Sequence, residues 1–374
     1  MLKAGIAGCV LALAVSAAAS ATTYNVTILA PLAGATNATL TGINDAGQVV
    51  GISNVPGPPL QTITLGTGQA TIWNGGSPTL LAGLPGSTGA TPFGINNAGQ
   101  VAGVSWSAGG LAIQPVVWNG SIPTALSSPA SPGFAGAINN AGQVVGSVRV
   151  NGNDQAAVWS GTTLALLASP GGGSGAVAIN NAGQIAGNIG GASTLWNAAA
   201  PAAAPTALGV PTGATSTTVA AINNAGQVVG TAFSGEIGEI RTAVIWNGTS
   251  PTVLGSLGGT SSWALAINDA GLVVGSSSPV DSTSHGAIWD GTTAVDINTL
   301  LASDPLGMII NALTGINSSG QIIGSAFNDD GLYAVLLTPV AQTPLPAALP
   351  LFASGLGALW FAGRRRRTQT ASAP

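Results

Sequence analysis

One ten-residue phrase occurs seven times in this chain, and this repetition limits the possible folds more than any other feature. It reads AINNAGQVVG at 137–146 and again at 221–230. Five looser copies begin at Gly42, Gly94, Ala178, Ala266 and Gly315. Successive copies are 41 to 52 residues apart. A period of this length predicts a repeat architecture, in which each repeat is one supersecondary unit that packs against its neighbours.

The phrase itself predicts a turn followed by a strand. Asn44-Asp45-Ala46-Gly47 suits a type I turn closed by a glycine in the left-handed region, and the side-chain oxygen of the first Asn can cap the turn. Asn and Asp are also metal-binding residue types, but turn chemistry explains them without a metal. We therefore expect a positive φ at Gly142 and at its six equivalents.

Each repeat contains four short strands, and the third ends in Trp in six of the seven repeats. Several of these Trp residues precede Asn-Gly or Asp-Gly, which are typical of tight hairpins. A Trp in each repeat could form a platform for sugar stacking, but at the end of an apolar strand a large ring more often fills the gap between sheets. We expect a core position for Trp73, Trp118, Trp159, Trp196, Trp246 and Trp289.

Repeated four-stranded meanders at this period are typical of β-propeller blades. After the seventh copy only a third strand remains, at 332–339, whereas an additional strand at 23–32 precedes the first copy. A linear solenoid gives no reason for this division. The sequence therefore predicts an all-β, seven-bladed β-propeller over 22–340, with four-stranded antiparallel blades and with the N-terminal strand completing the last blade.

The two ends of the chain carry export features. Residues 1–21 combine Lys3 with an apolar run and a small-residue motif, which predicts a signal helix cleaved between Ala21 and Thr22. The segment 341–374 contains three parts: Pro344-Leu345-Pro346, an apolar run at 347–363 that predicts a transmembrane helix, and Arg364, Arg365, Arg366 and Arg367. The arginines mark the cytoplasmic side. A plain membrane anchor and a sorting signal both fit this order.

The tail resembles the PEP-CTERM sorting signal, which exosortase enzymes process in Gram-negative bacteria. Leu345 stands where the motif that names the family has Glu. The resemblance implies export by the Sec machinery, transient anchoring in the inner membrane with the propeller in the periplasm, and release to the cell surface or outside the cell.

The repeats resemble the HAF-type extracellular repeat family. The likeness is clearest over 254–277 and in the Ala-Ile-Trp-Asp-Gly stretch that begins at Ala287. His285-Gly286-Ala287 is the stretch most similar to the triplet that names the family. The resemblance implies an exported bacterial protein, and it supplies no catalytic residues.

Charge excludes one class of partner. Only 5% of the residues are charged. The segment between Thr22 and Gly363 contains eleven acidic residues but only two basic ones, Arg149 and Arg241, so its net charge is −9. Phosphate binding needs clustered Lys and Arg, so nucleic acid is not expected as a partner. The single cysteine, Cys9, lies in the predicted signal, so the mature chain has no thiol.

Candidate catalytic groups are few. His285 is the only histidine, and we expect it to lie solvated in a loop. Glu236 and Glu239 are the only glutamates and share one loop, whereas the two carboxyl groups of a glycosidase face each other across a cleft. The NDDG stretch at 328–331 could supply oxygens to calcium or form a surface turn. We therefore predict no catalytic, cofactor-binding or metal-binding residue.

The function predicted from these features is that of an exported, monomeric surface or matrix protein without enzymatic activity, associated with exopolysaccharide or with matrix proteins of a biofilm. The alternative is a secreted carbohydrate-active enzyme, a glycoside hydrolase or lyase, whose carboxylates come from aspartates in different blades.

Overall fold

The computed structural model describes residues 22–54, 68–107, 112–235, 240–280, 283–303 and 306–340. Thr23–Pro339 forms one compact unit. The predicted signal at 1–21 and the predicted tail at 341–374 lie outside the described residues. Within the described ranges, no helix has the length and apolar character needed to cross a membrane.

The described residues form 28 strands and one short 3-10 helix. Strand β1 (Tyr24–Ile28) precedes the first repeat. Repeat I comprises β2 (Asn37–Ile43), β3 (Val49–Asn54), β4 (Gly68–Asn74) and β5 (Ser77–Leu80). Repeat II comprises β6 (Gly89–Ile95), β7 (Gln100–Trp106), β8 (Ile113–Asn119) and β9 (Ile122–Ala125). Repeat III comprises β10 (Gly133–Ile138), β11 (Gln143–Val150), β12 (Asn153–Ser160) and β13 (Thr163–Leu166).

The remaining repeats follow the same plan. Repeat IV comprises β14 (Ser174–Ile179), β15 (Gln184–Ile189), β16 (Ala192–Asn197) and β17 (Thr206–Ala207). Repeat V comprises β18 (Ser216–Ile222), β19 (Val228–Ser234), β20 (Ile240–Asn247) and β21 (Ser250–Val253). Repeat VI comprises β22 (Gly258–Ile267), β23 (Val273–Pro279), β24 (His285–Asp290) and β25 (Thr293–Asp296), and the 3-10 helix Ile297–Leu300 follows it. Repeat VII comprises β26 (Ile309–Ile316), β27 (Ile322–Asn328) and β28 (Gly331–Pro339).

The strands of each repeat pair in chain order to form an antiparallel sheet. Repeat VII has three strands of its own, and β1 supplies the fourth by pairing antiparallel with β28, from Tyr24 opposite Pro339 to Ile28 opposite Val335. A single parallel bridge between Arg241 and Ser261 joins the sheets of repeats V and VI. The predicted all-β class, the four-stranded antiparallel sheets and the pairing of β1 with β28 are confirmed.

Two glycines of the repeated phrase are required by the backbone structure. Gly142 has a φ of 76°, and its six equivalents have φ between 75° and 84°, as predicted for the closing residue of the turn. Gly146, the last residue of the phrase, lies where a Cβ would overlap the carbonyl oxygen of Phe134 on the neighbouring strand. The first glycine is therefore needed for the turn and the second for close contact between strands.

The core is divided into seven buried apolar clusters, and each lies between two repeats. The cluster that joins repeats VII and I contains Leu29, Trp73 and Ile323. All six predicted Trp residues are buried, which confirms their core position. Each Trp also donates from Nε1 to a carbonyl oxygen in the segment that enters its own repeat, over 2.6 to 2.8 Å, as Trp159 does to Ser127.

Candidate functional site

The seven repeated turns surround one cavity of about 220 Å³. Three consecutive residues from each repeat line it: an Ile that ends the first strand, an Asn, and then a second polar residue. We call the second and third of these the inner and rim residues. The inner residues are Asn44, Asn96, Asn139, Asn180, Asn223, Asn268 and Asn317. The rim residues are Asp45, Asn97, Asn140, Asn181, Asn224, Asp269 and Ser318.

The inner Asn side chains hold the turns in shape, as the sequence predicts. The Oδ1 atom of Asn139 accepts hydrogen bonds from the backbone N–H groups of Ala141 and Gln143, at 3.1 and 2.9 Å. Its Nδ2 donates to Oε1 of Gln143 at 2.9 Å. The inner residues are 2 to 6% exposed, so these bonds satisfy polar groups that water does not reach.

The same side chains also connect one repeat to the next, which the sequence alone did not reveal. Nδ2 of Asn139 donates to the carbonyl oxygen of Asn180, the inner residue of repeat IV, at 3.1 Å. The equivalent bond is present from every inner residue to the following one, and Asn317 of repeat VII donates to Asn44 of repeat I at 3.0 Å. These seven hydrogen bonds run through all seven repeats and return to the first.

The rim residues are exposed and form a second set of contacts. The backbone N–H of Asn140 donates to Oδ1 of Asn181 at 2.9 Å, and equivalent bonds run from repeats I, II, IV, V and VII to the next repeat. The rim side chains are therefore held in fixed orientations around the cavity although they are exposed to solvent.

The rim carries two carboxylates, on either side of Ser318. Oδ2 of Asp45 accepts from Nδ2 of Asn97 at 2.6 Å, and Oδ2 of Asp269 accepts from Nδ2 of Asn224 at 2.8 Å. Partial burial acts to raise the pKa of Asp45. Hydrogen bonds from the side chain and backbone of Ser318 and from Asn97 outweigh it, so the pKa lies below its usual value.

The opposite side of the rim carries amide donors that are unpaired among the residues the structure describes. Asn140 and Asn181 belong to repeats III and IV, and their Oδ1 atoms accept backbone hydrogen bonds at 2.9 Å. Among the described residues, no acceptor is hydrogen-bonded to Nδ2 of either side chain. These two NH₂ groups are exposed at the cavity mouth and can donate to a ligand.

The arrangement suits a ligand with several hydroxyl groups. Carboxamides and carboxylates at the mouth offer both donors and acceptors, and an Ile from each repeat also lines the cavity. In the part of the chain that the structure describes, no group of three or more His, Cys, Asp or Glu residues could hold a metal ion. The site is a ring of polar side chains in fixed orientations.

His285 does not lie solvated in a loop, which corrects the sequence-based expectation. It begins β24, and its Nδ1 lies 2.6 Å from Oδ2 of Asp296, with side-chain exposures of 18% and 21%. Oδ1 of Asp296 accepts from the backbone and the side chain of Asn298. No hydroxyl group is hydrogen-bonded to His285 within the described ranges. The pair connects the third and fourth strands of repeat VI.

The other residues singled out from the sequence are separate from the cavity. Asp330 lies in an exposed turn, where its N–H donates to Oδ1 of Asn328 at 2.9 Å. Thr22 is the first described residue and is exposed. The following lie outside the described residues: Glu236, Glu239, Ala21, Pro344, Leu345, Pro346, Arg364, Arg365, Arg366 and Arg367.

No family model matches the sequence, and no curated protein is significantly similar to it. Several solved structures are similar to this chain. The β-propeller domain of the Trilobed protease from Pyrococcus furiosus is 10% identical, with a TM-score of 0.38 over 82% of this chain and 86% of that chain. A puromycin-hydrolyzing peptidase from Mycobacterium tuberculosis is 11% identical, with a TM-score of 0.49 over 88% of this chain and 58% of that chain. Trypanosoma rangeli sialidase is 10% identical, with a TM-score of 0.39 over 84% and 55%.

The structures similar to this chain include a β-propeller domain, and one sequence-based prediction is corrected. The prediction that the protein is not an enzyme is corrected: the structures similar to this chain include a peptidase and a sialidase. At these identities the likeness concerns the fold alone, and neither activity is assigned to this chain.

Proposed function

We propose that this protein is an exported, seven-bladed β-propeller, closed by β1, that binds matrix polysaccharide at the mouth of its central cavity. Two observations support the ring. The inner hydrogen bonds return from Asn317 to Asn44, and β1 supplies the fourth strand beside β28. Because β1 pairs with β28, the third strand of repeat VII has no open edge.

Deletion of residues 22–30 tests the closure. The deletion removes the strand that covers β28 and also Leu29, which is buried between repeats VII and I. We expect the truncated protein to unfold at a lower temperature and to aggregate, because an unpaired strand edge can pair with another chain. An unchanged melting temperature and a monodisperse elution profile would contradict the closure.

The observation that carries the binding proposal is the rim. Seven exposed polar side chains surround one cavity, and hydrogen bonds to the neighbouring repeats fix their orientation, so little conformational entropy is lost when a ligand binds. Sugars present rings of hydroxyl groups, which both donate and accept. The Asn-rich rim, with five amide or hydroxyl residues and two carboxylates, matches that chemistry.

A glycan array with the 22–340 fragment tests the binding, because Thr23–Pro339 is a compact unit with its own core. We expect binding to polysaccharide fragments and its loss in the double variant Asn140→Ala/Asn181→Ala. The matched control is Asn153→Ala, an exposed residue at the start of β12 that does not line the cavity. Absence of binding to any glycan, or equal binding by the double variant, would contradict the proposal.

The same samples also show whether the protein cleaves what it binds. Mass spectrometry of each bound oligosaccharide before and after incubation would reveal shorter products. Intact oligosaccharides support a binding protein, and shorter fragments support a carbohydrate-active enzyme that uses this site.

The proposal for export rests on the two ends of the sequence. We expect cleavage between Ala21 and Thr22, transient anchoring through 347–363 with Arg364–Arg367 on the cytoplasmic side, and processing by an exosortase near Pro344-Leu345-Pro346. Mass spectrometry of the surface protein tests this. A C-terminal peptide that ends near Pro346 supports sorting, whereas recovery of intact GRRRRTQTASAP supports a permanent anchor.

A further inference from the structure

The rim of the cavity differs between its two sides. Around the mouth, the residues from repeats VI, VII and I are Asp269, Ser318 and Asp45. The residues from repeats III and IV are Asn140 and Asn181. One side therefore carries the two negative charges of the rim, and the other carries the two amide donors that have no partner among the described residues.

No cation of the described residues neutralises the carboxylates of the rim. Arg149, near the end of β11, pairs with Asp154, near the start of β12, with 3.0 Å between Nη2 and Oδ1. Arg241 lies over the ring of Trp263, 5.5 Å from its centroid. His285 is bonded to Asp296 at the start of β24. The contacts to both rim carboxylates come from backbone N–H, amide and hydroxyl groups, which are neutral donors.

The carboxylates retain free acceptor capacity. A carboxylate offers about four lone-pair sites. Asp269 uses two, for the backbone N–H and the Nδ2 of Asn224. Asp45 accepts from the backbone and side chain of Ser318 and from Asn97. Because both residues are exposed, a ligand can reach the remaining sites.

We infer that the cavity mouth selects a glycan that carries free amino groups, such as a polymer of glucosamine, over neutral and acidic glycans. This inference rests on the proposed glycan binding. A protonated sugar amine donates to the carboxylates beside Ser318, and a hydroxyl or ring oxygen on the opposite side of the sugar accepts from Asn140 and Asn181. A polyuronate meets the same carboxylates with like charge and is repelled.

Calorimetric titration of the 22–340 fragment with three hexamers tests the inference: glucosamine, N-acetylglucosamine and galacturonic acid. We expect the tightest binding for the glucosamine hexamer and weaker binding as salt increases, because screening weakens contacts between exposed charges. Asp269→Asn should lower the affinity for the glucosamine hexamer by about tenfold, the lower end of the range for a hydrogen bond to a charged group.

Asp290→Asn is the matched control. Asp290 is exposed at the end of β24 and does not line the cavity. Its substitution by Asn removes the same charge as Asp269→Asn. We expect its effect on affinity to be less than about twofold, because it loses only long-range attraction. An equal loss in Asp269→Asn and Asp290→Asn would overturn the inference, because net charge rather than the rim would then explain it.

The outcomes separate this inference from the proposed function. Equal binding of the glucosamine and N-acetylglucosamine hexamers, lost in Asn140→Ala/Asn181→Ala, keeps the glycan site and overturns the preference for amines. Tightest binding of the galacturonic acid hexamer also overturns it. Binding of none of the three hexamers overturns the preference, and the broader glycan array then decides the proposed function.

Discussion

The interface between repeats VI and VII is built differently from the other six. At each of the other six interfaces, a Gln follows the turn of the first repeat. In the second repeat, a rim Asn or Asp accepts a bond from the preceding repeat, and a Trp ends the third strand. At VI–VII these positions hold Leu272, Ser318 and Leu337. All three of these differences from the repeated sequence therefore lie at a single interface.

Each departure removes a polar contact. Leu272 cannot accept from Nδ2 of Asn268, and the bond from Asn268 to the carbonyl oxygen of Asn317 lengthens to 3.3 Å, against 2.9 to 3.1 Å elsewhere. In the described part of the chain, the N–H of Asp269 makes no bond to the side chain of Ser318. The side chain of Leu337 has no N–H group, so it cannot donate to the segment that enters repeat VII as a Trp side chain does.

The segment between repeats VI and VII replaces these contacts with apolar packing. Ile297 and Met308 are buried in the largest of the seven clusters that the described residues form. Asn298 fixes the segment by accepting from the N–H of Ile310 at 2.9 Å and donating to its carbonyl oxygen at 3.1 Å. The comparison shows that the repeated Asn, Gln and Trp residues serve the interfaces between sheets, and that a longer, apolar connection can serve the same purpose.

The largest effect is expected at the VI–VII interface, where apolar packing replaces polar contacts found at the other interfaces. Ile297→Ala should lower the free energy of unfolding by about 2–5 kcal/mol, because it leaves a cavity in the VI–VII cluster. Chemical denaturation of the 22–340 fragment measures this. Leu332→Ala, at an exposed position, is the control and should change stability by less than about 0.5 kcal/mol. Equal effects of the two substitutions would contradict the importance of the connecting segment.

A pair of inner asparagines compares the two kinds of interface directly. Both substitutions remove two backbone bonds to Oδ1. They differ at Nδ2: Asn180→Ala also removes bonds to Gln184 and Asn223, at 2.8 and 2.9 Å, whereas Asn268→Ala removes only the 3.3 Å bond to the next repeat. We expect Asn180→Ala to cost about 1 kcal/mol more in the free energy of unfolding. Denaturant titration of both variants measures the difference, and a larger cost for Asn268→Ala would contradict it.

The turn itself should not distinguish the interfaces. Gly142 and Gly271 have φ of 76° and 84°, and a Cβ at either would be 3.4 to 3.5 Å from a Gln side chain of the preceding repeat. Substitution by Ala should cost about 1 kcal/mol at both positions, because both are left-handed. Gly175→Ala is the control, since it has open space and no positive φ. Unequal costs at Gly142 and Gly271, measured by thermal unfolding, would show that the turn depends on its interface.

The smallest expected effect is a dependence on pH at the VII–I interface. The pKa of Asp45 is lowered in the folded protein, so its contribution to stability is present above the unfolded value of about 3.9 and is lost as pH falls through the folded value. Asp45→Asn should therefore reduce the loss of stability on acidification below about pH 4. Thermal melts between pH 7 and pH 2.5 measure this, and parallel curves for the two proteins would contradict it.

Local chemistry made much of the fold predictable. The φ of Gly142, the burial of Trp159 and the pairing of β1 with β28 follow from turn preferences, residue size and a count of strands. The bonds from each inner Asn to the next repeat did not follow, because six of them join residues 41 to 52 positions apart and the seventh joins residues 273 apart, so they depend on how the sheets pack. The pairing of His285 with Asp296 was also missed, since it depends on the register of β24 and β25.

The candidate site was only partly predictable for the same reason. The sequence identified the Asn and Asp residues as turn formers, and this is their role within one repeat. Their second role appears only when the seven turns surround one cavity, so that one side of the rim carries Asp45 and Asp269 and the other carries Asn140 and Asn181. No single repeat contains that difference, because it arises from the order of the repeats.

The most direct test of a glycan site at the cavity mouth is NMR of the 22–340 fragment, labelled with ¹⁵N only at Asn and titrated with glucosamine hexamer. The site predicts that the side-chain NH₂ signals of Asn140 and Asn181 shift with ligand concentration. The signals of Asn153 and Asn298, which do not line the cavity, should stay unchanged. Shifts at Asn153 or Asn298 with unchanged signals from Asn140 and Asn181 would contradict the site.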